Sequence, residues 1–386
     1  MDYQVGVPHG FESWTDNLID KGGLALPATH LPRMSAPCAM RHYIEGDALY
    51  ADLRADIAAA RIAIRAEFYI FADDEAGEPI LDLLASAAAR GISVWLRIDA
   101  VGSWGMLSNA RLAALRSAGV ELQWSRPWSW SRPWAFHRRN HRKLLVVDHT
   151  AAYLGGFNIH RDNSAAAVGP GRWRDTHLRF QGELVKDAIR HFDAYPRAPW
   201  PRVTHSGRGL VPNSNRRCRH VLRCTFANAF RAARRRIWLT TPYFVPDQRS
   251  QSALRDAAKR GLDVRLLVPG KSDVAITQWA ARAAYGSLRA AGVRIWEYQS
   301  RILHAKTVLV DDDWATVGTA NFDYRSFFVN DELNLFEHGP ALNGQLAEQF
   351  ARDLCDAAEV TDDWQRRRPW HSPFTQLVGW WARRWL

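Results

Sequence analysis

The chain has 386 residues, 47% of them hydrophobic, enough for two ordinary domains each with its own core, which excludes a disordered chain. Its 51 basic and 40 acidic residues leave a formal charge of +11, a balance that favours a polyanionic partner, either nucleic acid or an anionic membrane surface. No run approaches the roughly 18 apolar residues of a spanning helix and no charged-plus-apolar leader opens the chain, so membrane contact is expected to be peripheral.

Residues 1–40 are rich in Gly, Pro and polar side chains and read as an irregular extension. From Gly46 a helix is predicted over 48–60, and then a buried strand within 61–71 carrying Ile62, Ile64, Ala66 and Phe68. A second helix over 78–90 is closed by Gly91, and a strand follows over 92–100. Alternation at this spacing predicts an α/β layer with largely parallel strands. Next comes an aromatic and basic segment around Trp124, Trp128, Trp130, Trp134 and Phe136, with Arg126, Arg132, Arg138 and Arg139. It leads directly into His141, so it is expected to border the site and rest on lipid headgroups, although the same mixture suits stacking on single-stranded nucleic acid. The eighteen tryptophans tip the choice towards a bilayer interface.

The second half repeats this order. Ala60-Arg61-Ile62 is echoed by Arg235-Arg236-Ile237, an offset of 175, and Arg90-Gly91-Ile92 by Arg260-Gly261-Leu262, an offset of 170. The chain therefore divides into a first domain at 41–195, a Pro-rich linker at 196–215, a second domain at 216–358 ending in a helix over 342–358, and a basic, aromatic tail at 359–386. In the tail, Ser372 and Pro373 start a helix that sets Phe374, Leu377, Val378, Trp381 and Trp385 on one face, an interfacial pattern for which docking on the parent fold is the alternative. Cys38, Cys218, Cys224 and Cys355 have no paired or metal-site spacing and read as reduced thiols.

The chemistry concentrates in two matched stretches. His141, Lys143 and Asp148 are followed by Gly155 and Asn158; His304, Lys306 and Asp311 are followed by Gly318 and Asn321. From His to the first Gly is 14 residues both times, and both stretches keep Lys in a chain with only six lysines. Residues 144–147 and 307–310 suit strand interiors, so His and Lys at i and i+2 point to the same face. These stretches resemble the paired HKD motifs of the phospholipase D superfamily, and the resemblance implies a phosphodiester substrate, which resists nucleophiles because its oxygens are anionic. Two lysines would offset that charge, Asn158 and Asn321 would donate to the same oxygens, one imidazole would attack phosphorus and the other would protonate the leaving alcohol. With two lysines at the phosphate a divalent cation is redundant, so neither metal nor cofactor is expected.

Trp173-Arg174-Asp175, Thr241 to Asp247, and Gly318 to Glu332 are similar to the bacterial cardiolipin synthase branch of this superfamily, here without N-terminal transmembrane helices. The resemblance covers about residues 40–350, with departures at Thr319, where Ser is commoner, and at Gly156. It implies two α/β domains related by a pseudo-two-fold axis, each a mostly parallel sheet flanked by helices, with the active site at their interface. It assigns His141 as nucleophile and His304 as acid/base. Asp175 and Glu332, 34 and 28 residues after their histidines, are the expected orienting carboxylates. Asp148 and Asp311 complete the motif triads counted as catalytic, although their place at the strand ends suits a local lock on backbone or Arg. The implied activity is transfer of a phosphatidyl group between two phosphatidylglycerol molecules on an anionic phospholipid membrane, peripherally on the cytoplasmic face of the bacterial inner membrane. A phospholipase D or nuclease-type hydrolase is the alternative, so nucleic acid is disfavoured as a partner and stays open. No protein partner is required, because both motifs lie in one chain. Trp128, Trp130, Trp134, Trp381 and Trp385 are the candidate membrane contacts.

Overall fold

The computed structural model describes residues 40–363, except 132, 134, 135, 198, 200, 203, 205, 206 and 214–220. The strands, numbered in chain order, are β1 (Arg41–Tyr43), β2 (Ala63–Phe68), β3 (Ser93–Asp99), β4 (Glu121–Ser125), β5 (Leu144–Val147), β6 (Ala151–Gly155) and β7 (His177–Phe180) in the first half. The second half holds β8 (Arg208–Pro212), β9 (Arg236–Thr240), β10 (Phe244–Val245), β11 (Asp263–Pro269), β12 (Arg294–Tyr298), β13 (Thr307–Val310), β14 (Trp314–Gly318), β15 (Phe322–Asp323), β16 (Leu333–His338) and β17 (Ala357–Glu359). The first sheet runs β1-β7-β6-β5-β2-β3-β4 and the second β17-β12-β11-β9-β13-β14-β16-β8. Apart from β17 the two orders correspond strand for strand, which is the internal repeat in three dimensions.

The expectation of mostly parallel sheets is corrected. Within these two sheets β2-β3-β4 and β9-β11-β12 pair in parallel and the remaining pairs are antiparallel, while β10 and β15 pair in parallel as a separate two-stranded sheet. The reason is connection length. Helices Glu78–Ala89 and Asn109–Ser117 supply the crossovers that parallel strands need, whereas β5 and β6 are joined through a short turn at residues 148–150, which can only reverse the chain. Asp148 and its counterpart Asp311 open these turns in the left-handed region, at φ 52 and 51.

Three further expectations change. The proposed linker contains β8, which pairs with β16 as β1 pairs with β7, so residues 208–212 already belong to the second sheet. Its Arg-Gly-Leu-Val-Pro sequence lacks alternation, and its Pro is tolerated because β8 is an edge strand. Ile62 stands outside β2 and is 60% exposed, while Ile64, Ala66 and Phe68 are buried. The closing helix spans Pro340–Cys355, and the chain then adds β17 antiparallel to the edge of β12.

The two sheets share a core. Leu144, Val146, Ala152, Leu154 and Leu178 of the first sheet pack with Leu309, Ala315, Val317, Leu333 and Leu335 of the second. Each fully buried leucine there contributes about 2 kcal/mol of transfer free energy, so the motif strands meet because their inward faces are apolar. Among the described residues, no helix is long and apolar enough to cross a membrane.

Candidate active site

Strand order places the motifs. β5 runs antiparallel to β2 with Leu144 opposite Glu67, and β13 antiparallel to β9 with Thr307 opposite Thr240. His141 and Lys143, and likewise His304 and Lys306, therefore lie on the extended approaches just before these strands, beside the C-terminal ends of the parallel strands. The sequence reading had put them on the strands themselves. Each approach pairs across the interface. The His141 amide donates to the Asp331 carbonyl at 2.9 Å, and the His304 amide donates to the Arg174 carbonyl at 2.7 Å.

This crossing corrects the expected carboxylate partners. Asp331 is followed by Glu332 and Arg174 by Asp175, so each carboxylate is delivered to the histidine of the opposite half. Glu332 Oε2 lies 3.0 Å from His141 Nδ1, and Asp175 Oδ2 lies 2.6 Å from His304 Nδ1. Neither carboxylate orients the histidine of its own half.

The hydrogen bonds decide the tautomers. His141 Nδ1 faces only acceptors, Glu332 and the Thr319 carbonyl at 3.1 Å, so Nδ1 carries the proton and Nε2 presents a lone pair. His304 Nδ1 likewise donates to Asp175. The Lys306 ammonium, 2.8 Å from the same nitrogen, instead donates to the His304 carbonyl and faces Asp175 at 3.6 Å. Lys143 Nζ donates to the His141 carbonyl at 2.7 Å, the same turn-back in the other half. Glu332 is held further by the Thr319 hydroxyl at 2.6 Å and the Ser326 hydroxyl at 3.0 Å. At the position matching Thr319, a Cβ on Gly156 would stand 2.0 Å from Asp175 Oδ1, so the glycine makes room for that carboxylate. Both departures from the family pattern thus serve the histidine partners.

All of these groups are buried. Burial pushes the His141 imidazole down to about 4, helped by the Lys143 and Lys306 ammoniums and opposed by Glu332. Burial lowers His304 as well, with Lys306 adding to it and Asp175 opposing. Lys143 is pushed down to about 7 by burial and by Lys306. For Asp175 and Glu332 burial acts upward, but the facing lysine and histidine charges outweigh it and hold both below the usual carboxylate range. The mutual influence of Lys143, Lys306, Asp175 and Glu332 marks a single site drawn from both halves.

Asn158 accepts from the Ile70 amide through Oδ1 at 3.0 Å, which leaves its NH2 as the donor end. The Asn321 NH2 bonds Asp323 at 3.2 Å, and its buried Oδ1 has no partner among the described residues. Asp148 and Asp311 do not join the site, a correction to counting them as catalytic. Asp148 accepts from the amides of Arg61, Ile62 and Ala63, and Asp311 from those of Arg234, Arg235 and Arg236, at the far ends of β5 and β13. Five extended residues put Asp148 ~16 Å from Lys143.

Sequence reasoning named Trp173 and the stretch holding Tyr243 only as family-like residues, gave them no role at the site, and did not single out Tyr69. Tyr69 lies 5.1 Å from His141 with its ring 5.4 Å from Lys143 Nζ, while Trp173 and Tyr243 flank His304 at 5.1 and 6.2 Å. The repeat was the available signal, because Tyr69 and Tyr243 differ by 174, within the spread of the other offsets. Trp128 and Trp130 are 47% and 87% exposed, whereas Trp134, Trp381 and Trp385 lie outside the described residues. Arg126 of this segment reaches across to the buried Asp331 at 2.7 Å, joined by the Tyr195 hydroxyl at 3.0 Å. Among the described residues no group of three or more His, Cys, Asp or Glu side chains is placed to hold a metal ion.

The profile of the cardiolipin synthase, PLD-like domain family matches residues 53–168 and 226–354. The chain is 32% identical over 339 residues to a cardiolipin synthase of Clostridium perfringens (strain SM101 / Type A), covering 83% of this chain and 71% of that protein. It is 35% identical over 343 residues to a cardiolipin synthase of Geobacillus sp. (strain WCH70), covering 84% of this chain and 68% of that one. Its fold is similar to that of a phosphatidylserine synthase from Haemophilus influenzae Rd KW20, with a TM-score of 0.69 at 14% identity over 90% of this chain and 95% of that one.

Proposed function

The chain is a phosphatidyltransferase that belongs to the cardiolipin synthase, PLD-like domain family, and we propose that it joins two phosphatidylglycerol molecules with release of glycerol. The observation that carries this reading is the crossed pair of hydrogen bonds, which takes up Nδ1 of each histidine and leaves Nε2 outside the carboxylate bond, beside two buried lysines, with Lys306 Nζ 3.4 Å from Nε2 of His304. His141, held neutral by its low pKa, attacks phosphorus through Nε2. The bond from phosphorus to the glycerol oxygen breaks as His304, which takes up a proton at Nε2 when the anionic headgroup binds and has Asp175 as counter-ion, gives that oxygen its proton. His304, now neutral, takes the proton of the incoming phosphatidylglycerol hydroxyl. That oxygen attacks the phosphatidyl-histidine, cardiolipin leaves, and His141 is restored. Lys143, Lys306 and the NH2 of Asn158 and Asn321 offset the charge on the nonbridging oxygens throughout.

The proposed partner is an anionic phospholipid membrane, met peripherally on the cytoplasmic face of the bacterial inner membrane. The charge of +11 and the exposed Trp128 and Trp130 support it. Purified protein incubated with phosphatidylglycerol vesicles in a chelator is expected to give cardiolipin and free glycerol, and His141→Ala to give neither. Phosphatidic acid alone would make water the acceptor and refute the transferase reading. The absence of any lipid product, with cleavage of a nucleic acid instead, would establish the nuclease alternative.

A further inference from the structure

Among the described residues, seven large hydrophobic side chains are exposed: Ile62, Trp104, Met106, Trp128, Trp130, Phe136 and Val274. Six of them lie on connections that leave the C-terminal ends of parallel strands. Trp104 and Met106 follow β3, Trp128, Trp130 and Phe136 follow β4, and Val274 follows β11. That is the end at which the histidines meet. Ile62, next to the start of β2, is at the opposite end.

The two first-half loops are braced against the site. The Ser103 hydroxyl donates to the Tyr69 carbonyl at 3.0 Å and accepts from the Phe71 amide at 3.1 Å, while the Asp73 amide donates to the Met106 carbonyl at 2.9 Å. Tyr69 is the ring beside His141. Gly102 passes so close to Tyr69 that a Cβ would lie 2.4 Å from its carbonyl oxygen, and Gly105, at φ +71 in open space, turns the chain at the tip. The result is a Trp104 that is 82% exposed on a loop whose base is fastened. On the other loop, Trp128 packs edge-on to Trp130 and Phe136 at 5.5 and 5.0 Å. The base of that loop is tied by the Asn140 amide to Asp99 at 2.9 Å and by Arg325 of the second half to the His137 carbonyl at 2.6 Å.

Scattered exposed apolar residues need no explanation, but confinement to one end, on braced loops around a mouth, marks an interaction surface. We propose that this rim docks the chain on an anionic bilayer through both first-half loops, with Trp104 and Met106 entering the interfacial layer beside Trp128, Trp130 and Phe136. The first half then seats deeper than the second, which among the described residues contributes Val274 alone. The active-site mouth faces the headgroups, so a phosphatidylglycerol headgroup reaches His141 while its acyl chains stay in the leaflet. The net charge of +11 fits an anionic surface, and rings at such a boundary keep their apolar faces in lipid. This inference rests on the lipid reading above.

The test uses the full chain, vesicles of phosphatidylglycerol mixed with phosphatidylcholine, and a short-chain phosphatidylglycerol below its micelle concentration. Trp104→Ser and Trp130→Ser are each expected to weaken vesicle partitioning roughly tenfold, the transfer free energy of one aromatic side chain. Ile62→Ser is expected to bind as the wild type, and all three variants to turn over the monomeric lipid at wild-type rates. Wild-type vesicle binding by Trp104→Ser, or an equal loss in Ile62→Ser, would overturn the docking proposal. If the wild type turns over neither vesicle nor monomeric lipid, the functional reading fails instead, and the partitioning results still decide the surface.

Discussion

Replacing Gly156 by Ala adds one methyl group and is expected to disable the enzyme through a histidine in the other half of the molecule. The new Cβ would lie 2.0, 2.5 and 2.6 Å from Oδ1, Cγ and Oδ2 of Asp175, where ordinary carbon contacts need about 3.5 Å. The carboxylate has to retreat by about 1 Å or more, yet it holds His304 Nδ1 at 2.6 Å and accepts from the Thr176 amide at 2.7 Å. A 1 Å misplacement costs about 100-fold in rate, and outright loss of the tautomer about 10,000-fold. The assay is the initial rate of cardiolipin formation from phosphatidylglycerol, alongside a thermal melt. Gly344→Ala is the control, since its Cβ meets nothing within 4 Å and helix Pro340–Cys355 should gain slightly. A folded Gly156→Ala enzyme with wild-type turnover would refute the claim that Asp175 positions His304.

Other consequences can be checked with the same protein. Asp148→Ala should cost about 2 kcal/mol of stability, because three backbone amides lose a charged acceptor, while turnover of the folded fraction stays within about twofold; selective loss of turnover in a stable variant would return Asp148 to the catalytic set. Lys143, pushed down to about 7 by burial and Lys306, should regain its charge when an anionic headgroup binds. Calorimetry near pH 7.5 in buffers of different ionisation enthalpy should then report proton uptake, and none would contradict a lysine–phosphate contact. Burial holds His42 and His141 near 4 and His177 near 3, below the unfolded value of 6.5. The unfolded chain therefore binds more protons than the folded one once pH drops below 6.5. The contribution of these imidazoles is full above that pH and is lost from 6.5 towards 4, opposed in the same window by Asp323, which burial pushes up to about 7; denaturant melts should show stability falling on balance, and a profile that rises as pH drops across this window would be inconsistent with neutral buried imidazoles.

The repeat, the two motif strands and the identity of the motif residues were legible from the chain alone, because apolar runs of four residues after each His-x-Lys have few alternatives. The sheet direction was not. Helix-strand alternation implies parallel neighbours, but the turns at Asp148 and Asp311 insert a reversal that periodicity does not register. Strand β8 was hidden by its Gly and Pro. The partners of the histidines were misread for a deeper reason: distance along the chain suggests that Asp175 serves His141, whereas pairing of the two approaches across the interface exchanges the carboxylates. Tyr69 was recoverable from the repeat offset. The exposure of Trp104 was not, because Gly102 to Gly105 reads as an ordinary turn until the strand ends around it are placed.

The central claim is that one histidine of a crossed pair carries the phosphatidyl group while the other moves the proton. The most direct measurement is mass spectrometry of peptides from enzyme quenched during turnover of phosphatidylglycerol, for the wild type and for His304→Ala. A phosphatidyl adduct on the peptide containing His141, persisting in His304→Ala, is the expected result. An adduct on His304 would reverse the roles, and cardiolipin formation without any adduct would contradict the covalent route.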